Sequence, residues 1–394
     1  MSDLSSSARF IAGMMAPHRA VSMAIGAVVV AGLLAGLVSA TPAETPALRW
    51  YRGNTHTHTI NSDGDASPDV VVRWFREHGY QFVVVTDHEQ LTAVEPLNRQ
   101  FGAPDRFLVI GGEELTQEIE DSSHPDRVRQ LHINAINLAT TVHAIGRKCC
   151  DDLARVAPPG TTVAQALSAD LSAVRSAGAV AQLNHPNYRW SIRFEDLHGL
   201  PENTLLEIWN AGPEHNNLGG IDAAGHMTPS PEKLWDMLLT GGKRVWGVAS
   251  DDSHQYHDFE NPRAARPGLA WIVVRAPELS AAAISSALAA GNFYASNGVE
   301  LDEITADARE VQIRIHDDAA SKPTGDAKPD TRYMTRFVGA EGRVLAEVGG
   351  HVARYTVRGN EQYVRAVITD SNGRQAWTQP RFLSRSRDTP DERR

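Results

Sequence analysis

Residues 67–88 read SPDVVVRWFREHGYQFVVVTDH, and the order of elements in this stretch decides the fold. Ser67 followed by Pro68 is a helix start, an N-cap with proline at the first helical position, where its missing N–H is not needed. Val70, Val71, Trp74 and Phe75 then supply an apolar face, and Gly79 stops the helix. The strand Phe82–Val85 follows at once, and Thr86-Asp87-His88 closes it. A helix feeding directly into a strand is the repeating unit of an α/β domain.

Outward from this unit, short apolar runs alternate with helical patterns from Trp50 to about Ala249, which predicts a mainly parallel sheet. Candidate strands end near Thr55, Val85, Ile110, Asn137, Leu183, Trp209 and Ala249, about seven in all. A second helix is predicted over Thr161–Ala177, with Gly178 separating it from the strand Ala179–Leu183. Past about Leu301 the texture changes to short alternating segments: Val311–Ile315, Tyr333–Val338, Arg343–Val348, Ala353–Val357, Tyr363–Thr369 and Ala376–Phe382. Glu341-Gly342, Gly349-Gly350, Arg358-Gly359 and Asn372-Gly373 supply turns between them. This predicts a domain over 45–300 and a small antiparallel β-sandwich over 301–383, with an exposed loop at Ser321–Thr331 and a polar tail at 384–394.

The N-terminus reads as a targeting segment. Arg19 precedes an uncharged, mostly apolar stretch from Ala20 to Ala43 containing Val38-Ser39-Ala40, a small-x-small cleavage pattern. Residues 1–40 are therefore expected to be a signal peptide, giving a periplasmic or secreted protein. The same stretch is long enough to be an uncleaved membrane anchor. The 394 residues are 42% hydrophobic with a formal charge of −10, ordinary for a globular protein and without the basic surface that long nucleic acids require. Cys149 and Cys150 are adjacent, an arrangement poorly suited to a disulfide and too few for a thiolate zinc site.

Histidines and carboxylates follow nearly every candidate strand at its C-terminal end, the rim where barrel-like α/β folds assemble active sites. His56-Thr57-His58 puts two imidazoles on one side of an extended segment. Asp63 follows in a loop, His88 closes the next strand, and Glu114 follows Gly111-Gly112. His132 begins a further run, His185-Pro186 ends another, and Asp252-Ser253-His254 follows Val245–Ala249. Glu113 and Asp251 compete with their neighbours Glu114 and Asp252; the spacings Gly112-x-Glu114 and Asp252-x-His254 favour the second of each pair. Asp87 is expected to orient a ligating imidazole. Tyr188, Arg189 and His257 are open between substrate contact and plain surface. His78, His124, His143, His198, His215, His226, His316 and His351 read as ordinary histidines outside the site.

The set His-x-His, Thr-Asp-His, Gly-x-Glu, His, His-Pro and Asp-x-His, in this order over Arg49–His257, resembles the polymerase and histidinol phosphatase (PHP) superfamily of metal-dependent phosphoesterases. The resemblance implies a distorted (β/α)7 barrel. It further implies that His56, His58, Glu114 and Asp252 hold one ion, that Glu114 bridges to a second held by His132 and His185, and that Asp63, His88 and His254 hold a third. Asp63 stands where some members have His, which leaves the metal count open. Residues 246–254 (WGVASDDSH) and 291–298 (GNFYASNG) look like the carbaryl-hydrolase-like branch, which includes enzymes that cut carbamate or carboxyl esters.

Mixed imidazole and carboxylate ligands suit Zn, Mn or Fe. The expected protein is a hydrolase in which two or three divalent ions activate water, with Asp87, Glu114 and Asp252 as its catalytic carboxylates and a small-molecule ester as its substrate. A phosphoester is the first reading, a carbamate or carboxyl ester the second, and a metal-stabilised binding protein the third. No P-loop, dinucleotide fingerprint or nucleophilic serine elbow competes.

Overall fold

The seven strands read from the sequence stand side by side in chain order. Along the chain the elements are β1 (Arg49–Asn54), α1 (Pro68–Glu77), β2 (Phe82–Val85), α2 (Glu95–Phe101), β3 (Leu108–Glu120), β4 (Val128–Ile136), α3 (Val163–Ser176), β5 (Val180–Leu183), β6 (Leu205–Asn210), the short pair β7 (Gly220–Ile221) and β8 (Met227–Thr228), α4 (Pro231–Thr240), β9 (Trp246–Ser250), β10 (Trp271–Ala276), α5 (Ala281–Ala289) and β11 (Phe293–Ser296). The main sheet runs β1-β2-β3-β4-β5-β6-β9, with β10 and then β11 on the other side of β1. The computed structural model describes residues 47–146, 156–222, 224–316 and 331–383. The segment expected to be a signal peptide, Cys149-Cys150, most of the Ser321–Thr331 loop and the polar tail lie outside the described residues.

The expectation of a mainly parallel sheet needs correcting: β4 runs antiparallel to both β3 and β5, and β10 and β11 are antiparallel additions. Residues 121–127 join β3 to β4, too short a connection for the helical crossover that a parallel pair requires, so the chain turns straight back. The pairs β1–β2, β2–β3, β5–β6 and β6–β9 are parallel.

Local sequence explains the helices. Ser67 caps α1 in extended geometry with Pro68 next, although the Ser67 hydroxyl donates to Asp69 rather than serving as an acceptor for the helix. Its buried stripe is Val71, Val72 and Phe75, turned slightly from the predicted face, and Trp74 is half-buried. Thr162 and Gln165 form a reciprocal capping box that starts α3. Strand β2 is covered on both faces: Phe82 and Val84 join one core with Ile110 and Ile133, while Val83 and Val85 join another with Val71 and Phe75. That is why its sequence is continuously apolar rather than alternating.

The C-terminal strands are β12 (Leu301–Ala306), β13 (Glu310–Ile315), β14 (Tyr333–Val338), β15 (Val344–Gly349), β16 (Val352–Thr356), β17 (Tyr363–Asp370), β18 (Gln375–Thr378) and β19 (Arg381–Phe382). Strands β15-β14-β17-β18 extend the main sheet through the β18–β11 pair, and β12-β13-β16 form a separate three-stranded sheet. Val311, Ile313 and Tyr355 of that small sheet share a core with Val364, Ala366 and Ile368 of β17. The other face of β17 carries Tyr363, Arg365 and Val367. Tyr363 and Val367 belong to the core that also holds Trp235 of α4. Arg365, fully buried, donates to Asp236 at 2.7 and 2.8 Å and to Glu232 at 2.9 Å. The run expected over Ala376–Phe382 is broken by Pro380 into β18 and β19.

Candidate metal centre

Beyond the C-terminal ends of the parallel strands, histidines from five segments converge on two carboxylates. β1 leads into His56 and His58, β2 into His88, β5 into His185, and β9 into Asp252 and His254, while β3 and β4 carry Glu114 and His132 within the strands. Antiparallel pairing sets Thr116 opposite His132, so His132 reaches the site from mid-strand and not from a strand end as expected. The backbone is forced at two of these positions: Asp252 has φ 50 and His185 φ 20, in the left-handed region that non-glycine residues seldom occupy.

The geometry is that of groups gathered round something shared. Oε2 of Glu114 lies 3.1 Å from Nε2 of both His56 and His58, and Oδ1 of Asp252 lies 3.0 and 3.1 Å from the same two nitrogens. Oε1 of Glu114 lies 3.0 Å from Nδ1 of His132 and 3.5 Å from Nε2 of His185. Asp63 Oδ atoms stand 3.5 Å from Nε2 of His88 and 3.3 Å from Nε2 of His254. Two donors each about 2.1 Å from one ion stand about 3–3.5 Å apart at tetrahedral or octahedral angles, so these spacings fit coordination. His58 Nε2 and Asp252 Oδ1 are buried and close, yet neither makes a hydrogen bond of acceptable geometry. Side chains that face each other without bonding are what a shared cation would satisfy, and the donor set fits a divalent ion.

Four of the imidazoles are steered by a partner on the other nitrogen, as ligating histidines commonly are. His56 Nδ1 meets Glu207 at 3.0 Å, His132 Nε2 meets Gln130 at 3.2 Å, His88 Nδ1 meets Thr116 at 2.6 Å, and His254 Nδ1 meets the Asp252 carbonyl at 2.8 Å. The amides of Asn184 and Asn210 donate to Glu114 Oε1 and Asp252 Oδ2 at 2.8 and 3.2 Å. The expectation for Asp87 is corrected here. Its carboxylate accepts from the Thr59 amide and hydroxyl at 2.7 and 2.9 Å and from Ser62 at 3.0 Å, and it holds no imidazole. Glu207, which the sequence reading missed, fills the role expected of Asp87.

Charge follows position. Burial acts to lower the His56 imidazole, but Asp252, Glu114 and Glu207 together raise it well above its ordinary value. His58 is raised to about 9 against the same burial by Asp252 and Glu114. Glu114 and Asp252 are held well below the usual carboxylate range, against burial, by the surrounding imidazoles. His185 is lowered to about 4 by burial and by its neighbours His215 and His132.

The paired carboxylates separate cleanly. Glu113, on the other face of β3, accepts from the Val142 amide and is pushed up to about 7 by burial. Asp251 takes the amides of Gly268, Leu269 and Ala270 at 2.8 Å and the Asn54 side chain at 2.7 Å, away from the histidines. Among the residues set aside, His215 belongs to the cluster, with Nε2 3.2 Å from Asp252 Oδ2. Tyr188 stacks on His215 and lines the cleft; Arg189 and His257 do not line it. The cleft, of about 250 Å³, is also lined by Gln255 and Arg263.

No known family profile matches the chain, and no curated protein matches it. The chain is similar to solved structures, among them the following three. A two-domain protein from Bacteroides vulgatus containing a predicted PHP-like metal-dependent phosphoesterase is 16% identical, covering 83% of this chain and 92% of its own, with a TM-score of 0.42. A protein from Bifidobacterium adolescentis assigned as a metal-dependent phosphoesterase is 16% identical over 51% of this chain and 87% of its own, with a TM-score of 0.32. An amidohydrolase from Chromobacterium violaceum, solved with sulfate and no metal, is 12% identical over 55% of this chain and 93% of its own, with a TM-score of 0.31.

Proposed function

We propose that the protein is a PHP-type metal-dependent hydrolase acting on a small phosphoester, built on a distorted barrel whose C-terminal strands form a supporting sandwich. The observation that carries this reading is the pair Glu114 and Asp252, both buried and each presenting one oxygen to the same two imidazoles at 3.0–3.1 Å. His56, His58, Glu114 and Asp252 would hold one ion, His132, His185 and Glu114 a second, and Asp63, His88 and His254 a third. Zn, Mn or Fe would supply activation of water near neutral pH and stabilisation of the leaving oxygen.

The chain's own residues position the reactants. Glu207, Gln130 and Thr116 fix imidazole orientation, while Asn184 and Asn210 hold the carboxylates. Arg263 at the cleft supports an anionic substrate, because a guanidinium offers parallel donors to phosphate oxygens. That favours phosphoester over carbamate. The leader is taken as an export signal, which would place the enzyme in the periplasm or outside the cell.

The test is turnover of a phosphomonoester, a phosphodiester and a carbamate aryl ester with Mn and with Zn, by wild type and by Arg263→Ala. Phosphoester cleavage that weakens in KM on loss of Arg263 supports the reading; carbamate cleavage alone overturns the substrate. Less than one equivalent of metal, with no activity after reconstitution, overturns the centre.

A further inference from the structure

His215 comes from the loop after β6, a segment with no ligand pattern in its sequence, yet its ring sits inside the cluster. The loop is shaped to put it there. Asn210 turns its side-chain oxygen to accept the Gly212 amide at 2.8 Å, and a Cβ on Gly212 would stand 2.3 Å from the imidazole Cε1. Only glycine at 212 leaves room for the ring. Tyr188 stacks on the outer side, with ring centroids 5.3 Å apart, and His185 lies on the inner side at 4.7 Å. The result is a residue only 8% exposed, its imidazole held by packing with Nε2 aimed at Asp252.

Asp252 is then placed as Glu114 is. One oxygen of each carboxylate faces His56 and His58. The other oxygen of Glu114 faces His132 and His185, and the other oxygen of Asp252 lies 3.2 Å from His215 Nε2 and 3.7 Å from His185 Nε2. One ligand atom each from His185, His215 and Asp252 lie within 4.8 Å of one another, all three residues buried. We infer that His215 is a further ligand of the ion held by His185, and that Asp252 spans two ions as Glu114 does. The second position is thereby ringed by three imidazoles and two carboxylate oxygens. Such a set selects a transition metal over Mg or Ca. The inference rests on the metal-centre reading above.

The experiment compares wild type, His215→Ala and His215→Gln with Tyr188→Phe, which keeps the packing ring. Elemental analysis after dialysis, Co(II) titration followed by its visible absorption, and circular dichroism are recorded for each. The expected result is one fewer retained equivalent, or at least about tenfold weaker binding of one Co(II), in both His215 variants. Their Co(II) spectrum is expected to change as well, with free imidazole restoring binding to His215→Ala and Tyr188→Phe unchanged. Folded His215 variants with wild-type stoichiometry, affinity and Co(II) spectrum overturn the assignment while leaving the centre intact. A wild type that binds no Co(II) overturns both, and the two failures are thus told apart. If His215→Ala is misfolded by circular dichroism, His215→Gln decides.

Discussion

Two regions of the molecule bury charge, and they do so in opposite ways. Between α4 and β17, Arg365 has its countercharges in place: Asp236 accepts two of its N–H groups, Glu232 accepts a third, and Tyr363 adds its hydroxyl to Asp236 at 3.0 Å. At the rim of the parallel strands, Glu114, Asp252 and Glu207 are just as buried, but among the described residues no lysine or arginine pairs with them, and the ionisable groups that face them are imidazoles. A buried ion pair completed within the chain serves structure. A buried set of carboxylates and imidazoles completed only by protons or cations is a binding site, because burying a charge without a partner is costly.

The comparison breaks most visibly at Glu114. Glu114→Gln is expected to lose metal and lower kcat at least about 100-fold with the fold retained, whereas Glu113→Gln keeps most activity because its carboxylate lies outside the cluster. Elemental analysis and kinetics on both variants check this, and the reverse result reassigns the bridging carboxylate.

On the structural side, Arg365→Met leaves the Asp236 charge buried without its partner. Destabilisation of about 3–5 kcal/mol is expected in urea unfolding, with metal content unchanged. A change in metal content would mean that the two regions are coupled.

A smaller effect is expected at Glu207→Gln, which keeps a hydrogen-bond acceptor for His56 but removes the charge. Metal affinity is expected to fall about 10–100-fold while thermal stability in the metal-loaded state holds. Unchanged affinity would show that His56 needs no charged partner.

The gentlest probe is pH. In the metal-free protein His58 is raised to about 9, so below that pH an incoming ion must displace its proton. Affinity is expected to rise with pH through about 9, and the raised His56 imidazole, a ligand of the same ion, adds to that rise. Calorimetric titration in two buffers of different ionisation enthalpy should show proton release on binding; its absence would contradict protonated imidazoles as the stand-in for metal.

Much of this was legible in the chain because the information is local. Ser67-Pro68 and Gly79 bound a helix through their own backbone preferences, and the apolar runs ending near Val85, Ile110 and Leu183 mark strands whatever their partners. His-x-His is readable because residues two apart in an extended chain share a face. What only the tertiary structure decided is pairing over distance. The direction of β4 follows from a short turn and not from its composition, and the choice of Glu207 over Asp87 as the carboxylate on His56 depends on residues 151 positions apart meeting. His215 reads in sequence like any loop histidine. It enters the site because Gly212 and Asn210 fold its loop inward, a contact geometry that no one-dimensional spacing encodes.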